Sequence, residues 1–422
     1  MGENILHIYK PYIEDRNGKT RLNAKILWQG KEQILWLEVE KEWGKYFVDE
    51  LSDPFILAVL KKAMKYNANI EYEQPMSEDL KYSLQTYLIP VYSQNLKIFN
   101  QIQLIGDITD KTIPTEGHVA TGFSAGVDSF YTVLKHLNTP YKKHNLTHLL
   151  LAVNGAANTG YSEKADKEWF EGCYNRFKPL AEEMGLKLIA VNSNVDLFYA
   201  GDMTLGGDVI VTSSFIHALR KLYSTYYWAS ADPANILKFD SFDAGGMEPL
   251  STKYVSVNGL QYYHSGSETN RIGKVNFIGD FPIVQKGLTV CGNIHNCGRC
   301  NKCLRTMSEL YAVGKLEKFK ESFPVDDYIK NFSSRLAEEL TIDYEQFIVD
   351  ILAKFKENNV DVPMSVYLKK WFFYKPLYFI KSKLRKNKYL LKIYYEHRLY
   401  EKIFGLKIDE ELVKARLEGK EK

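Results

Sequence analysis

Residues 118–137 read HVATGFSAGVDSFYTVLKHL and carry the clearest indication of the fold class. The small and apolar residues at 118–123 predict a short buried strand, and the apolar spacing that follows predicts a helix through Leu137. Gly126 and two serines occupy the turn between them. A strand that turns directly into a helix is the first half of a βαβ unit, so this stretch predicts a parallel sheet.

The same alternation of strand and helix continues through residues 116–312. The predicted elements are strands at 149–153, 187–191 and 226–229 and helices at about 165–184 and 209–222. This pattern predicts the α/β class, with a doubly wound parallel sheet and right-handed crossovers. Ligands of such sheets bind beyond the carboxyl ends of the strands, where the first strand turns into its helix.

The chain on either side of this core reads differently. Residues 1–115 predict an α+β accessory domain, and residues 313–422 predict a helical region rich in basic and aromatic side chains. The accessory elements are strands at 22–28, 33–39 and 70–72 and helices at 54–66 and 77–88, the last closed by Pro90. A chain of 422 residues is long enough for three such units.

The turn SAGVDS has the composition of a phosphate-binding loop. The candidate phosphate contacts are Ser124, Ala125, Gly126, Val127, Asp128 and Ser129. Successive backbone N–H groups can point inward, and the helix that follows adds its positive N-terminal end. Gly126 permits close approach of a phosphate, and Asp128 can orient the loop or help to hold magnesium. A plain strand-to-helix turn, capped by Asp128 or Ser129, has the same composition and stays open as an alternative.

The string FSAGVDS, at residues 123–129, resembles the SGGxDS loop of the PP-loop ATP pyrophosphatases, whose sheet is of the HUP type. In that superfamily the loop holds the pyrophosphate end of ATP while a nucleophile, often a carboxylate, takes the adenylyl group. The resemblance implies ATP and Mg²⁺ as ligands, and catalytic roles for Ser124, Asp128 and Ser129. Ala125 stands where the family usually has its first glycine, which suits alanine if its φ is negative.

Two more segments fit this resemblance. Asn154 and Gly155 follow the second core strand, near where the superfamily holds adenosine. The segment HSGSETNRIGKV, at residues 264–275, looks like the superfamily's late helix with a phosphate-contacting lysine. The resemblance implies that Arg271 binds the nucleotide and that Lys274 both binds the nucleotide and acts in catalysis. Glu268, Arg271 and Lys274 recur every three residues, which predicts one shared helical face. A solvated charged face has the same pattern.

Four of the five cysteines are crowded into thirteen residues, as Cys291-x5-Cys297-x2-Cys300-x2-Cys303. Such crowding in a large intracellular chain favours a metal over disulfides. Thiolates on closely spaced turns can surround Zn²⁺ tetrahedrally, and an iron–sulfur cluster needs the same ligand type. The fifth cysteine, Cys173, stands alone in a helical pattern, which favours a packing role.

The loop and the cysteine cluster together resemble 7-cyano-7-deazaguanine synthase, whose PP-loop core ends in a CxxCxxC cluster followed by Leu-Arg. The resemblance covers residues 116–312, and the first cysteine spacing is shorter here than in that family. That family activates a carboxylate with ATP and converts it with ammonia, through an amide, to a nitrile, and its structural zinc lies close to the active site. The resemblance implies an adenylating synthase or ligase that forms C–N bonds.

The C-terminal region carries eleven Lys or Arg between Lys369 and Lys402, against Glu396 and Glu401, with aromatic residues between them. Cations and aromatics together can bind single-stranded nucleic acid, an anionic membrane surface, a carrier or a protein partner. A helical cap that packs its aromatics inward, with its lysines in solvent, has the same composition.

Composition narrows the class of protein further. Hydrophobic residues make up 45%, charged residues 25%, and the formal charge is +3, which argues against a surface built wholly for nucleic acid. The start, MGENILHIYK, has no apolar core of signal-peptide length, and no apolar run reaches the roughly eighteen residues that span a bilayer. A cytoplasmic protein without a membrane span is expected, and a homodimer is left open.

Three functions stay open at this point. The first is adenylation of a carboxylate, with nitrogen from ammonia, an amine or a partner, because residues 1–115 contain no cysteine for a glutaminase. The second is RNA base modification such as thiolation, in which ATP activates a base carbonyl. The third is a degenerate loop, with Ala125 as its symptom, in a zinc-stabilised nucleotide-binding module.

Overall fold

The computed structural model describes residues 4–152, 163–199, 209–236, 247–292, 294–342 and 345–386. They belong to two compact units. The first consists of Met1–Asn158 and Phe170–Lys274, and the second of Thr159–Trp169 and Val275–Lys422. The predicted adenosine contacts, Asn154 and Gly155, lie outside the described residues, as does the basic region after residue 386.

The first unit is built on a large mixed sheet. The strands are β1 (Ile5–Ile8), β2 (Tyr12–Arg16), β3 (Lys19–Trp28), β4 (Lys31–Glu40), β5 (Asn69–Tyr72), β6 (Met76–Ser77), β7 (Leu104–Ile105), β8 (Ile108–Thr109), β9 (His118–Gly122), β10 (His148–Ala152), β11 (Lys187–Ser193), β12 (Tyr223–Ala229) and β13 (Gln261–Ser265). Among the described residues, eleven strands join in the order β13-β12-β9-β10-β11-β4-β3-β1-β5-β7, with β2 beside β3. The short strands β6 and β8 form a separate pair.

The core strands β9 to β13 are all parallel to their neighbours within that group, which confirms the predicted α/β class. From β9 the chain adds β10 and β11 on one side, and then β12 and β13 on the other. This order is compatible with a doubly wound fold, and its switch point lies between β9 and β12. β10, HLLLA, is an apolar run that is buried on both faces, whereas β13 alternates exposed and buried residues.

Helices connect these strands. The helices up to residue 278 are α1 (Asp53–Lys65), α2 (Glu78–Ser83), α3 (Ile89–Asn95), α4 (Val127–Leu137), α5 (Glu163–Glu183), α6 (Val195–Phe198), α7 (Val209–Ala218), α8 (Glu248–Tyr254) and α9 (Arg271–Ile278). Every residue of α7 is buried, and the helix packs along α1, which is buried over most of its length. A helix that is buried all round, as α7 is, belongs in the interior of a unit.

The prediction that Pro90 closes the second helix is wrong. α2 runs through a π-helical stretch, Leu84–Leu88, directly into α3, and Pro90 lies in the first turn of α3. Proline lacks the N–H that a helix interior needs, and its ring clashes with the carbonyl four residues earlier. The wider π-turn changes which carbonyl faces the ring, so the helix continues past the proline.

The N-terminal strands extend the core sheet. β4 pairs antiparallel with β11, with Leu37 opposite Ser193. The Asn194 side chain continues this ladder, because its Oδ1 accepts from the Trp36 N–H at 2.8 Å and its Nδ2 donates to the Ile34 carbonyl at 2.8 Å. The residues before 116 are therefore part of the same sheet as the core strands.

The second unit is helical within the described residues, as predicted for the chain after residue 313. The helices are α10 (Pro282–Gly287), α11 (Asn301–Ala312), α12 (Val325–Lys330), α13 (Phe332–Ile342), α14 (Glu345–Glu357), α15 (Met364–Lys369) and α16 (Lys375–Lys386). A π-helical stretch, Lys370–Tyr374, joins α15 to α16 just before Pro376, as at Pro90. None of the helices that the structure describes is long and apolar enough to cross a membrane.

Candidate functional site

The predicted phosphate loop lies where ligands of a doubly wound sheet bind. β9 ends at Gly122 and α4 begins at Val127, so the loop spans the carboxyl end of the strand beside the switch point. Gly126 is the N-cap of α4, and no side chain caps the helix. The alternative in which Asp128 or Ser129 is the N-cap is therefore wrong, because both lie inside the first turn.

Hydrogen bonds within the loop hold its shape. The Gly126 N–H donates to Ser124 Oγ at 3.4 Å, and Ser129 Oγ donates to the Gly126 carbonyl at 3.1 Å. The two serine hydroxyl oxygens are 3.4 Å apart. Ser124 is exposed while Ser129 is buried, so Ser124 presents the accessible hydroxyl of the loop.

Ala125 has a left-handed backbone, with φ of +53°, and its side chain is buried. The condition under which alanine suits this position, a negative φ, is therefore not met. A left-handed conformation costs an L-residue about 1–2 kcal/mol relative to a right-handed one, and strained turns of this kind cluster at ligand sites. The loop thus keeps a backbone shape that suits glycine, although the residue is alanine.

A buried lysine is bonded to the loop. The side chain of Lys274 is fully buried, and its Nζ donates to Asp128 Oδ1 at 2.9 Å and to the Ser230 carbonyl at 2.6 Å. Ser230 directly follows β12, so Lys274 connects the ends of the two strands that flank the switch point. Arg271 NH1 lies 3.4 Å from Asp128 Oδ2. The structure therefore brings Asp128, Arg271 and Lys274 together at the loop.

Glu268 does not share the helical face of Arg271 and Lys274, contrary to the prediction. α9 begins only at Arg271, and Glu268 lies in the turn before it. Its carboxylate accepts from the Tyr131 hydroxyl at 2.6 Å and pairs with Lys135, both on α4. Burial alone would raise the pKa of Glu268, but the hydrogen bonds from Lys135 and Tyr131 lower it to about 2. Glu268 therefore anchors the segment before α9 to α4.

Ser230 and Glu248 were missed at the sequence level. Glu248 is buried in α8, its Oε2 is 3.2 Å from His264 Nε2, and it accepts from the Ala231 N–H at 3.4 Å. Burial raises the pKa of the Glu248 carboxyl, against the lowering effect of its bond to His264. Ser230 follows β12 and His264 lies near the end of β13, whereas Glu248 is the first residue of α8. No local motif marks Ser230 and Glu248, because only the strand order and the position of α8 bring them to this edge.

The four clustered cysteines form a compact group that could hold a metal ion. Their sulfur atoms all lie within 4.8 Å of one another, and two Sγ–Sγ distances, Cys291 to Cys300 and Cys297 to Cys303, are 3.9 Å. A tetrahedron with Zn–S bonds of about 2.3 Å has edges of roughly 3.8 Å, so one zinc ion fits the group. A cluster of several iron atoms needs thiolates that are farther apart, so the geometry favours a single ion.

Backbone hydrogen bonds in the turn from Cys297 to Cys300 orient the sulfur atom of Cys297. The backbone N–H groups of Arg299 and Cys300 donate to Cys297 Sγ at 3.5 and 3.3 Å. Gly298, between the ligands, has φ of +70°, and a Cβ there would lie 2.3 Å from Pro324 Cγ. Cys300 is the N-cap of α11, which places Cys303 in its first turn. Only glycine satisfies both the backbone and the space at this turn.

Asn296 holds the loop that carries Cys291, and it was also missed at the sequence level. Its Oδ1 accepts from the N–H groups of Val290 and Cys291 at 2.9 and 3.3 Å, and its Nδ2 donates to the carbonyls of Leu288 and Ser322 at 2.8 and 2.9 Å. All of the side chain's strong hydrogen-bonding groups are thus used to fix one ligand.

The thiols of the cluster titrate together. Hydrogen bonds from Cys291, Cys300 and Cys303 lower the pKa of Cys297 well below its usual range. Hydrogen bonds with Cys291 and Cys297 raise the pKa of Cys300, and those with Cys291, Cys297 and Cys300 raise the pKa of Cys303. A metal binds thiolates, so binding releases the protons of the thiols.

Cys173 lies outside this group, in α5. It is buried, and burial raises its pKa to about 11, against a smaller lowering by Arg176. A thiol with that pKa is protonated at neutral pH and a poor nucleophile. Its environment is that of a packed side chain, as predicted.

No protein-family model, curated protein or solved structure matches this chain. The resemblance to PP-loop enzymes therefore depends on the chain's own features. These are the string at residues 123–129, the segment at 264–275 and the cysteine spacing at 291–303.

Proposed function

We propose that this chain is an ATP-dependent, AMP-forming enzyme with a PP-loop core of the HUP type. It adenylates a substrate carboxylate, passes the acyl group to a nitrogen nucleophile and releases AMP and pyrophosphate, as 7-cyano-7-deazaguanine synthase does. One observation carries the proposal. The loop at 124–129 lies beside the switch point of the sheet, with the buried Lys274 bonded to its Asp128.

The loop and its neighbours have the charges that this reaction needs. The uncapped N-terminus of α4 and the loop N–H groups would bind phosphate oxygens. Lys274 and Arg271 would stabilise negative charge on the departing pyrophosphate, since preorganised cations act most strongly where charge develops. The Asp128 carboxylate would be the Mg²⁺ ligand of this set, because Mg²⁺ prefers oxygen donors and keeps several waters.

Zinc has a structural role in this proposal. Four protein thiolates close the coordination of one Zn²⁺, and a closed site has no position for a substrate. Binding of this kind can supply on the order of 10 kcal/mol to folding. The cluster belongs to the helical second unit, where Cys303 is fully buried in α11, so metal binding would stabilise that unit.

The test is turnover of α-³²P-ATP by the full chain, with candidate carboxylates and ammonia. We expect wild-type protein to release AMP and pyrophosphate, and Asp128→Asn to lose most of that release. Asp361→Asn is the matched control, because Asp361 is exposed and lies outside the candidate site. Equal AMP release by Asp128→Asn and wild type would contradict the proposed role of the loop.

Asp128→Asn removes the carboxylate partner of a buried lysine, so it can also lower stability. Ser124→Ala is a second variant without this problem, because Ser124 is exposed. We expect it to reduce AMP release while the unfolding temperature stays unchanged. If ATP does not bind the wild type in calorimetry, the catalytic proposal is wrong.

A second candidate is a nucleotide-binding module without turnover. Ala125 favours it, because this position needs a left-handed backbone and the residue is not glycine. Binding of ATP without release of AMP, with every carboxylate tried, would support this candidate. Release of AMP only in the presence of RNA would instead indicate base modification.

A further inference from the structure

The second unit has an apolar outer surface along α15 and α16. Its exposed large side chains are Met364, Tyr367, Leu368, Trp371, Phe372, Phe373, Phe379 and Ile380. Phe372 is 80% exposed, Met364 72% and Trp371 58%. Several of these residues recur at spacings of three, four and seven, so they lie along one side of the helical segment. We call this side the aromatic face.

The opposite side of the segment is fixed to α13. Ser365 Oγ donates to Ser333 Oγ at 3.0 Å, Lys369 Nζ donates to Ser334 Oγ at 2.8 Å, and Tyr378 donates to Glu338 at 3.0 Å. Val366 is fully buried on this side. The side of the segment that faces α13 is therefore packed, whereas the side chains of the aromatic face are exposed.

The charge of the segment has one sign. Residues 364–386 contain no Asp or Glu, and their basic residues are Lys369, Lys370, Lys375, Lys381, Lys383, Arg385 and Lys386. The Lys375 ammonium lies 3.4 Å above the Trp371 ring centre, which is a close cation–π contact. An ammonium group and an aromatic ring are thus exposed together at this position on the surface.

We propose that the aromatic face binds the surface of an anionic lipid bilayer. Aromatic and aliphatic side chains beside lysines are the composition of helices that lie in the headgroup region. The apolar side chains would enter the boundary of the acyl chains, and the lysines would contact anionic headgroups. The segment lies on the membrane and does not span it.

Two other occupants fit the surface less well. A second copy of this chain would place two basic surfaces against each other, and like charges repel. Single-stranded nucleic acid suits the lysines and the rings, but bases stack on aromatic rings, and Met364, Leu368 and Ile380 offer them none. Of these three occupants, a lipid surface alone uses the aliphatic side chains, the rings and the charge together.

The experiment is co-sedimentation of the full chain with lipid vesicles. One set contains phosphatidylcholine alone, and the other contains phosphatidylserine as well. We expect binding to the anionic set, weakened by salt because the lysine contribution is screened. We expect the double variant Trp371→Ala, Phe372→Ala to bind at least about tenfold more weakly, since two large apolar side chains no longer enter the bilayer.

Tyr141→Ala is the matched control, because Tyr141 is 71% exposed and is followed by two lysines, but lies outside the aromatic face. It should bind vesicles as wild type does. Circular dichroism and thermal unfolding should show all variants folded, since the replaced side chains are exposed.

Three results would overturn the proposal. The first is a lack of binding to anionic vesicles, and the second is equal binding by wild type and the double variant. The third is concentration-dependent dimerisation or RNA binding that the double variant abolishes, without any vesicle binding. That result would assign the face to a protein or nucleic-acid partner. ATP turnover is measured separately, so failure here leaves the proposed function untouched.

Discussion

Replacing Gly298 with alanine tests whether the turn between Cys297 and Cys300 has the geometry of a metal site. Two effects add at this position. The left-handed backbone, with φ of +70°, costs an alanine about 1–2 kcal/mol. The new Cβ would also lie 2.3 Å from Pro324 Cγ and 3.0 Å from Pro324 Cδ, and overpacking of this kind costs about 1–3 kcal/mol.

Alanine also lowers the conformational entropy of the unfolded chain, which stabilises the folded state by about 0.4–1 kcal/mol relative to glycine. The free energy of unfolding of the second unit should therefore fall by about 2–4 kcal/mol, which lowers its unfolding temperature by roughly 5–15 °C. The displaced turn also moves Cys297 relative to Cys300. We therefore expect weaker zinc binding, measured by competition with a chromogenic chelator.

Two other glycines of the same unit separate the two effects. Gly314 has φ of +71° but no atom within 4 Å of an added Cβ, so Gly314→Ala should cost only the backbone part, about 1 kcal/mol. Gly292 has neither a left-handed backbone nor an atom within 4 Å of an added Cβ, so Gly292→Ala should leave the free energy of unfolding close to that of wild type. If Gly298→Ala equals Gly314→Ala in both stability and zinc affinity, the reasoning about Pro324 is refuted.

Three further predictions concern the first unit. Burial lowers the pKa of His217 to about 3, so this residue alone should add a slope of about 1.4 kcal/mol per pH unit to the fall in stability as pH drops below about 6.5, where only the unfolded state is protonated. His217→Gln should remove this slope in urea unfolding at pH 7 and pH 5; an unchanged slope would contradict it. The free energy of unfolding of Ala125→Gly, measured in urea, should stay within about 1 kcal/mol of the wild-type value. Glycine relieves the backbone strain at this position, and this gain offsets the loss of a buried methyl group. Lys274→Met should weaken ATP binding in calorimetry at least about tenfold, by the loss of a charged hydrogen-bond donor; unchanged affinity would exclude Lys274 from the site.

The core elements could be predicted from the sequence because their periodicity is local. The run at residues 149–153 and the apolar spacing after Val127 lie within one residue or so of β10 and α4. The helix at Pro90 could not be predicted this way. Proline signals a break, and the π-turn that accommodates it depends on how Leu84 and Leu88 are buried, which is a tertiary effect.

The candidate site was predictable only in part. The loop and the cysteines carry their signal in adjacent residues, so spacing was enough to select them. The bond between Asp128 and Lys274 joins residues 146 positions apart, and only the strand order brings them together. Ser230 and Asn296 contribute through a backbone carbonyl and a side-chain amide, and neither residue type is unusual in a loop.

The pairing of β4 with β11 affects which fragments of this chain can stay soluble. If residues 1–115 are removed, the end of β11 at Asn192 and Ser193 loses its partner strand, and its unpaired N–H and C=O groups can template contacts between molecules. A fragment that starts at residue 116 should therefore aggregate, although it contains the whole phosphate loop. Co-expression with the missing N-terminal piece should restore a soluble complex, because β4 supplied in trans would cover the same edge. In the intact chain, β4 thus covers part of the edge of the sheet that carries the candidate site.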